Sequence, residues 1–322
     1  MSGHQAHHRP ILSVAVTPRF VDQREKLEQA LSVLVSGDPA LCVEPESEGD
    51  RIILGGMSEA HLEQTCDRIQ EEYKILLEID SAKVVYLETI RKDAEGEGKY
   101  IRQTGGQGNY GHCRIRLEPN RRGSGYQFIS DIQNGAIPDN FIASIERGIR
   151  AALKGGILHG CRLVDVKVTL CDGSFHQTDS NEMAFQFAGA LAAKEAARKA
   201  SPMLLEPMMA VEITIPNENI GAVIRDICAR RGRIERVEQI QEMQQQGQGM
   251  QQITAIAPLA ELLGYAKEIQ SETRSRAQLS LEFARYESAP QPGDSDPGTA
   301  GVTANRPTGP KAGSRSASAK FW

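Results

Sequence analysis

A pattern of short apolar runs alternating with amphipathic stretches occurs twice in this chain, and that recurrence constrains the fold more than any single motif. In its first occurrence, Ile11–Val16 reads as a buried strand closed by Pro18. Residues 22–35 then put Leu27, Leu31, Leu34 and Val35 on one helical face, stopped at Gly37. A strand around Leu41–Val43, a turn at Glu48-Gly49-Asp50 and a strand at Arg51–Leu54 follow. Ser58 stands where an N-cap belongs, ahead of Leu62, Cys66, Ile69 and Tyr73 at helical spacing, and Ile75–Ile79 supplies a closing strand. The order is βαββαβ, the split-βαβ sandwich of ferredoxin-like folds.

The second occurrence starts with Val211, Ile213 and Ile215, ended by Pro216. A helix over 219–231 turns Ile220, Val223, Ile224 and Ile227 inward. Strands near 233–240 and 251–257 flank the Gln-rich QEMQQQGQGM. A helix from Pro258 through Ile269 carries Leu259, Leu262, Leu263 and Ala266 on one face, and Leu279–Phe283 ends the unit as a strand.

Between the repeats lies Lys99–Leu117, KYIRQTGGQGNYGHCRIRL. Period-two alternation on both sides of Gly105, Gly106, Gly108 and Gly111 predicts two strands joined by a long, bendable loop. The outgoing strand sets Cys113, Ile115 and Leu117 against His112, Arg114 and Arg116, a polar face suited to a polyanion such as RNA. Further along, Tyr126–Ile132 reads as a strand, and Pro138 opens a helix with Phe141, Ile142, Ile145 and Ile149 inward, ended by Gly155-Gly156. Leu163–Leu170 is another strand. Asp179 with Glu182 forms a capping-box pattern for a helix reaching about Ala200.

Two catalytic readings of these residues fail on context. Gly106–Gly111 is a formal GxGxxG, but a strand follows it, where a dinucleotide fingerprint needs a helix to open. Ser174, His176 and Asp179 lie within six residues with no nucleophile elbow and no oxyanion site. His176 is instead expected near Tyr110 and His112, as a second element of a tip.

Charge divides unevenly. Residues 11–89 carry 7 basic and 16 acidic side chains, 90–205 carry 16 and 12, and 206–288 carry 9 and 12. The middle third is therefore the basic part of an acidic protein. The six cysteines are scattered without a CxxC, which predicts reduced thiols, and His4, His7 and His8 cluster only in the N-terminal segment. No apolar run approaches a membrane span and no secretory h-region occurs, so a cytoplasmic protein is expected, with no metal, no cofactor and no catalytic residues.

The strings YIRQTGGQGNYGH, GSFHQTDSNEMAF, PMLLEPMMAVEI, PLAELLGYAKEIQSETRSRA and DQREKLEQALSVLVSGDP resemble domains III to V of bacterial translation elongation factor G, from Ile11 to Tyr286. The resemblance implies an α+β protein. Two ferredoxin-like sandwiches, 11–86 and 206–287, would flank an α+β lobe over 87–205, similar to the second domain of ribosomal protein S5, with a left-handed crossover. Residues 1–10 and 288–322 are expected to be disordered, the latter because Pro, Gly, Ser and Thr cannot bury enough surface to fold.

In that family the lobe reaches into the decoding centre of the ribosome, and its tip occupies the A site on the small subunit, beside tRNA and messenger RNA. The resemblance assigns the tip to Gln103–His112 and Ser174–Asp179 and carries over Gly105, Gly106, Gly108, Tyr110, Gly111 and His176, with Gln107, Asn109 and His112 as further candidate RNA contacts there. Asn109 stands where Gln is usual. Gln107 replaces a usual Arg and removes one phosphate-pairing charge. Arg114, Arg116, Arg147 and Arg150 are candidate phosphate contacts. The third domain's small-subunit motif matches Gly56, Met57, Glu59, His61, Leu62 and Glu63, with Ser58 and Ala60 in place of Gly and Leu. The fifth domain's contact with the large-subunit RNA loop matches Arg230-Arg231-Gly232 and Thr273–Ala277, including Arg274, with Ser275 in place of Gly.

No GxxxxGK[ST] phosphate loop and no NKxD occur in these residues. The expectation is a ribosome-binding module without its own GTPase, with a separate GTPase chain as a candidate partner. The alternatives are a module for another structured RNA, unrelated to translocation, and a degenerate factor fragment without a role.

Overall fold

The computed structural model describes residues 10–45, 51–104, 107–133, 135–240 and 249–290. The described chain forms two compact units. One holds the residues up to Tyr86 together with Glu206–Glu287, and the other holds Leu87–Leu205 with the residues from Ser288.

In the first unit, β1 (Leu12–Pro18), α1 (Arg24–Gly37), β2 (Cys42–Pro45), β3 (Ile52–Gly56), α2 (Glu59–Tyr73) and β4 (Leu77–Ile79) follow the predicted order. The sheet order is β2-β3-β1-β4, with β1 antiparallel to both neighbours, and a short β5 (Lys83–Val84) also pairs with β1. Ser58 caps α2 as its residue type suggests, accepting from the His61 N–H at 3.1 Å. Lys74 takes a left-handed conformation after α2, so β4 starts at Leu77, two residues later than the apolar run implies. The Glu48-Gly49-Asp50 turn lies outside the described residues.

The second unit opens with β6 (Leu87–Ile90). Its sheet is β7 (Ala94–Thr104), β8 (Gln107–Pro119), β9 (Tyr126–Ser130) and β10 (Val166–Ser174), in the order β7-β8-β10-β9. β9 and β10 run parallel, joined through α3 (Asp139–Lys154), and α4 (Glu182–Lys199) follows β10. Cys113, Ile115, Leu117, Val166, Val168 and Leu170 from the sheet share a core with Ile145 and Ile149 of α3 and with Phe185 and an alanine row of α4.

Several expectations for this unit need correction. β7 and β8 pair in unbroken register from Ala94↔Leu117 to Thr104↔Gln107, so the glycine-rich stretch is no long loop. The strand is hidden in the sequence because Gly96 and Gly98 occupy its inward positions. A Cβ on either would strike the α4 backbone. The same reason explains Gly111, whose Cβ would lie 2.5 Å from the Ala184 carbonyl oxygen. Gly108 does not have positive φ; a Cβ there would lie 2.6 Å from Asp179 Cγ. Asp179 is also not the cap of α4. Asn181 is, accepting from the Ala184 N–H at 2.9 Å. β10 runs on to Ser174, through an irregularity between Leu170 and Asp172, so Ser174 belongs to a strand. Pro138 is the N-cap of α3, one place before the first helical turn.

The final segment contains β11 (Pro202–Pro216), α5 (Ile220–Ala229), β12 (Arg233–Ile240), β13 (Met250–Pro258), α6 (Tyr265–Glu272) and β14 (Gln278–Ser288). The sheet order β12-β13-β11-β14 repeats the first sandwich strand for strand. The helix expected from Pro258 is broken: a 3-10 turn at Leu259–Glu261 and a left-handed Gly264 precede α6. α5 stops at Ala229, because Arg231 turns to φ +62°. Residues 241–248, most of the Gln-rich connection, are outside the described residues, as are 1–9 and 291–322.

Candidate nucleic-acid interface

At one end of the second unit, β7, β8, the end of β10 and residues 175–181 meet. Register places Tyr110, His112, Arg114 and Arg116 on one side of β8, because the intervening Gly111, Cys113, Ile115 and Leu117 face the helices. His112 Nδ1 lies 2.8 Å from Ser174 Oγ, and that hydroxyl lies 2.7 Å from the Tyr110 hydroxyl. His112 Nε2 is 2.9 Å from Glu97 Oε1 on β7. One network therefore spans three strands.

Residues 176–180 fold against this network as a tight turn. The Ser180 hydroxyl accepts from the His176 N–H at 2.9 Å and donates to the Tyr110 carbonyl at 3.0 Å. The Tyr110 N–H donates to the Asp179 carbonyl at 2.8 Å. His176 is exposed, with its ring centroid 6.5 Å from that of Tyr110 and its Nδ1 3.2 Å from Asp179 Oδ2. Asn109 Oδ1 accepts from Asn181 Nδ2 at 2.7 Å. The structure thus brings together Gly108, Asn109, Tyr110, His112 and His176. Gly105 and Gly106 lie outside the described residues; Gln107 opens β8 and pairs with Thr104.

The arginines of the polar face are matched by carboxylates. Arg116 lies 3.1 Å from Glu95, Arg114 lies 3.6 Å from Asp172, and Lys167 lies 3.2 Å from Glu118. On α3, Arg147 pairs with Glu182 at 3.0 Å and Arg150 with Glu146 at 2.7 Å; Arg150 also lies over the Tyr126 ring. These pairs are about a third to two-thirds exposed, so solvent and salt screen them. The face is a charge-balanced surface, which the one-sided sequence count did not show.

In the other unit, two predicted RNA contacts pair with the chain's own carboxylates. Arg230 pairs with Asp226 and Glu268, donates to the Glu261 carbonyl at 2.8 Å and lies over the Tyr265 ring. Arg231 forms two hydrogen bonds to Glu206, whose side chain is almost wholly buried. Burial works against the charge on both guanidiniums, but their carboxylates together outweigh it and hold both pKa values up. Arg274 is different. It sits at φ +52° beside Ser275 at φ +58° and has no ion-pair partner among the described residues. The turn around it is fixed by Thr273 Oγ1, which donates to the Ile269 carbonyl at 2.6 Å and accepts from the Ala277 N–H at 3.1 Å.

Among the described residues no group of three or more His, Cys, Asp or Glu side chains could hold a metal ion, and no helix is long and apolar enough to cross a membrane.

Three family models match the chain: Elongation Factor G, domain III, over residues 8–81; Elongation factor G, domain IV, over 82–201; and Elongation factor G C-terminus, over 203–295. A crystal structure of a protein from Thermus thermophilus matches with 38% identity and a TM-score of 0.65. The match covers 88% of this chain and 41% of the Thermus one, so the chain spans less than half the length of that relative.

Proposed function

The chain belongs to the elongation factor G family through domains III, IV and V, and from that premise we propose that it binds the ribosome with the β7–β8 tip entering the A site of the small subunit. The observation that supports this reading is the convergence at the tip. Ser174, far from β8 in sequence, is held against Tyr110 and His112 by contacts of 2.7 and 2.8 Å, and Ser180, which accepts the His176 N–H, ties the His176 turn to the Tyr110 carbonyl at 3.0 Å. A hydrogen-bonded network presenting imidazole, hydroxyl and amide groups can meet a crowded RNA site without first ordering itself.

The division into 11–86, 87–205 and 206–287 serves as the assignment of domains III, IV and V. In this reading the third domain rests on the small subunit, and the turn around Arg274 meets the large-subunit factor-binding RNA loop. Arg230 and Arg231 shape their own turn from inside. No phosphate loop occurs in these residues, so GTP-driven steps would come from sequence outside them or from a separate GTPase chain.

Co-sedimentation with ribosomes, combined with chemical footprinting of A-site RNA in the small subunit, tests the reading. The chain is expected to protect that RNA. Gly108→Val, which would drive a side chain into Asp179, and His176→Ala are expected to change the protection. An unchanged footprint with both variants overturns insertion of the tip. Binding to structured RNA without binding to ribosomes would favour a module unrelated to translocation.

A further inference from the structure

Helix α4 carries an exposed stripe that neither the core nor the tip uses. Met183, Phe187, Leu191, Lys194 and Arg198 fall within a sector of about 80° at 100° per residue. The first three are 53%, 47% and 46% exposed. Lys194 and Arg198 are exposed too, about 10 and 16 Å along the axis from Phe187 at 1.5 Å per residue.

The Phe187 ring is stacked on Tyr100 of β7, with centroids 4.9 Å apart and an interplanar angle of 23°. That stacking depends on Gly98 and Gly111, which let α4 approach the strands closely. It also leaves the outer face of an aromatic pair turned to solvent. Two residues beyond Tyr100, on the same side of β7, stands the exposed Arg102.

Electrostatics separates this stripe from the β8 face. Arg102, Lys194 and Arg198 have no ion-pair partner among the described residues. The acids nearest in sequence on α4 are already engaged. Glu182 pairs with Arg147, while Glu195 pairs with Lys199 and accepts the Glu97 N–H at 2.7 Å. The stripe is therefore cationic as well as aromatic.

We propose that the Tyr100–Phe187 pair, with Arg102, Lys194 and Arg198, is a binding track for single-stranded RNA, on which an unpaired base stacks against Phe187. Every base has a π-face, and phosphates flanking the stacked base meet the three cations. The track deepens the ribosome-binding reading by adding a contact on the flank of the lobe, away from the tip. A neutral or basic peptide would use the apolar residues but not the cations on both sides of the ring.

Fluorescence anisotropy of the full chain with labelled oligoadenylate, and with an abasic oligomer of equal length, tests it. Phe187→Ala is expected to weaken oligoadenylate binding about tenfold. It should leave the already weaker abasic binding unchanged. Phe187→Leu, which keeps apolar contact with Tyr100, should lose the same discrimination, so a folding defect cannot imitate the result. Arg102→Ala and Arg198→Ala should each reduce the salt slope by about 0.7. Equal wild-type affinity for both oligomers, or no effect of either Phe187 change, overturns the track. If ribosome protection persists in that case, only the flank has failed. If oligomer discrimination holds while ribosome binding is absent, the track stands and the ribosomal reading falls.

Discussion

His112 Nδ1 on β8 lies 2.8 Å from Ser174 Oγ on β10, one of the contacts that join the two segments of the tip. The Ser174 hydroxyl, with one proton and two acceptor lone pairs, bonds both Tyr110 and His112. Glu97 fixes the opposite edge of the imidazole at 2.9 Å.

Ser174→Ala removes both contacts of that hydroxyl while leaving the strand intact. The expected loss is about 1 kcal/mol of stability, the ordinary net value of a partly exposed hydrogen bond. Amides of 108–112 should exchange hydrogen faster, while those of 115–117, in the core of the sheet, should not. Uniform exchange along β8 would show that the network does not hold the tip.

Gly98→Ala is expected to destabilise the lobe by about 1 to 3 kcal/mol or more, because the methyl would strike the Ala188 carbonyl and force α4 off the sheet. Gly123→Ala makes a useful contrast. There the space is open and only φ +80° opposes a side chain, at about 1 to 2 kcal/mol. Urea denaturation of both variants checks the order. A larger loss at Gly123 would mean that helix approach does not set the glycine pattern.

Thiol reactivity should follow burial. Burial pushes the Cys113 thiol up to about 12 and Cys66 up to about 11, the latter with help from Asp67 and Glu63. Cys228 is exposed. Brief alkylation of the native chain at mildly basic pH, read by mass spectrometry, is expected to modify Cys228 first and to spare Cys66 and Cys113 until denaturant is added. Early labelling of Cys113 would contradict the packed interface between β8 and α4.

Periodic packing was legible in the sequence, because apolar spacing reports which face of an element is buried. The two βαββαβ sandwiches and the Ser58 cap follow from such local signals. What stayed hidden depends on partners distant in sequence. Gly96 and Gly98 give no apolar alternation to mark the start of β7, because their reason lies on α4, at Ala192 and Ala188. Asp179 and Asn181 are both good caps by type, and only the fold decides that Asn181 serves α4. The pairing of Arg230 with Glu268 and of Arg231 with Glu206 was not legible, because those carboxylates lie 38 and 25 residues away. The aromatic stripe on α4 was likewise invisible until Phe187 met Tyr100.

Asp38 offers a pH-dependent test of the first sandwich. Its carboxylate accepts the Ala40 N–H at 2.8 Å and lies 2.9 Å from His61 Nε2, and these contacts hold its pKa below the ordinary 3.8, the Ala40 bond most strongly. A depressed folded-state pKa gives stability that is present above 3.8 and disappears as pH falls through the lower folded value. Asp38→Asn is therefore expected to be less stable than wild type at neutral pH, by a small amount because the group is exposed. The gap should close below about pH 3.8 in paired urea titrations. A gap that persists unchanged into acid would assign the difference to something other than ionisation.

Arg231 and Arg274 separate structure from recognition in the last sandwich. Both have positive φ, yet only Arg231 has a buried partner. Arg231→Ala would leave the Glu206 carboxylate, with a side chain 4% exposed, without its charged donor. The expected loss is about 1.5 to 3 kcal/mol, the range for hydrogen bonds to charged groups. Glu206→Gln should restore part of it in the double variant, since a neutral amide tolerates the vacated site better. Arg274→Ala should leave stability within about 0.5 kcal/mol, as a surface change does. If the turn meets ribosomal RNA through Arg274, that variant weakens ribosome binding and flattens its salt dependence while melting like wild type. The opposite pattern, with Arg231→Ala fully stable and impaired only in binding, would return Arg231 to the RNA surface and show that its pairing with Glu206 yields to phosphate.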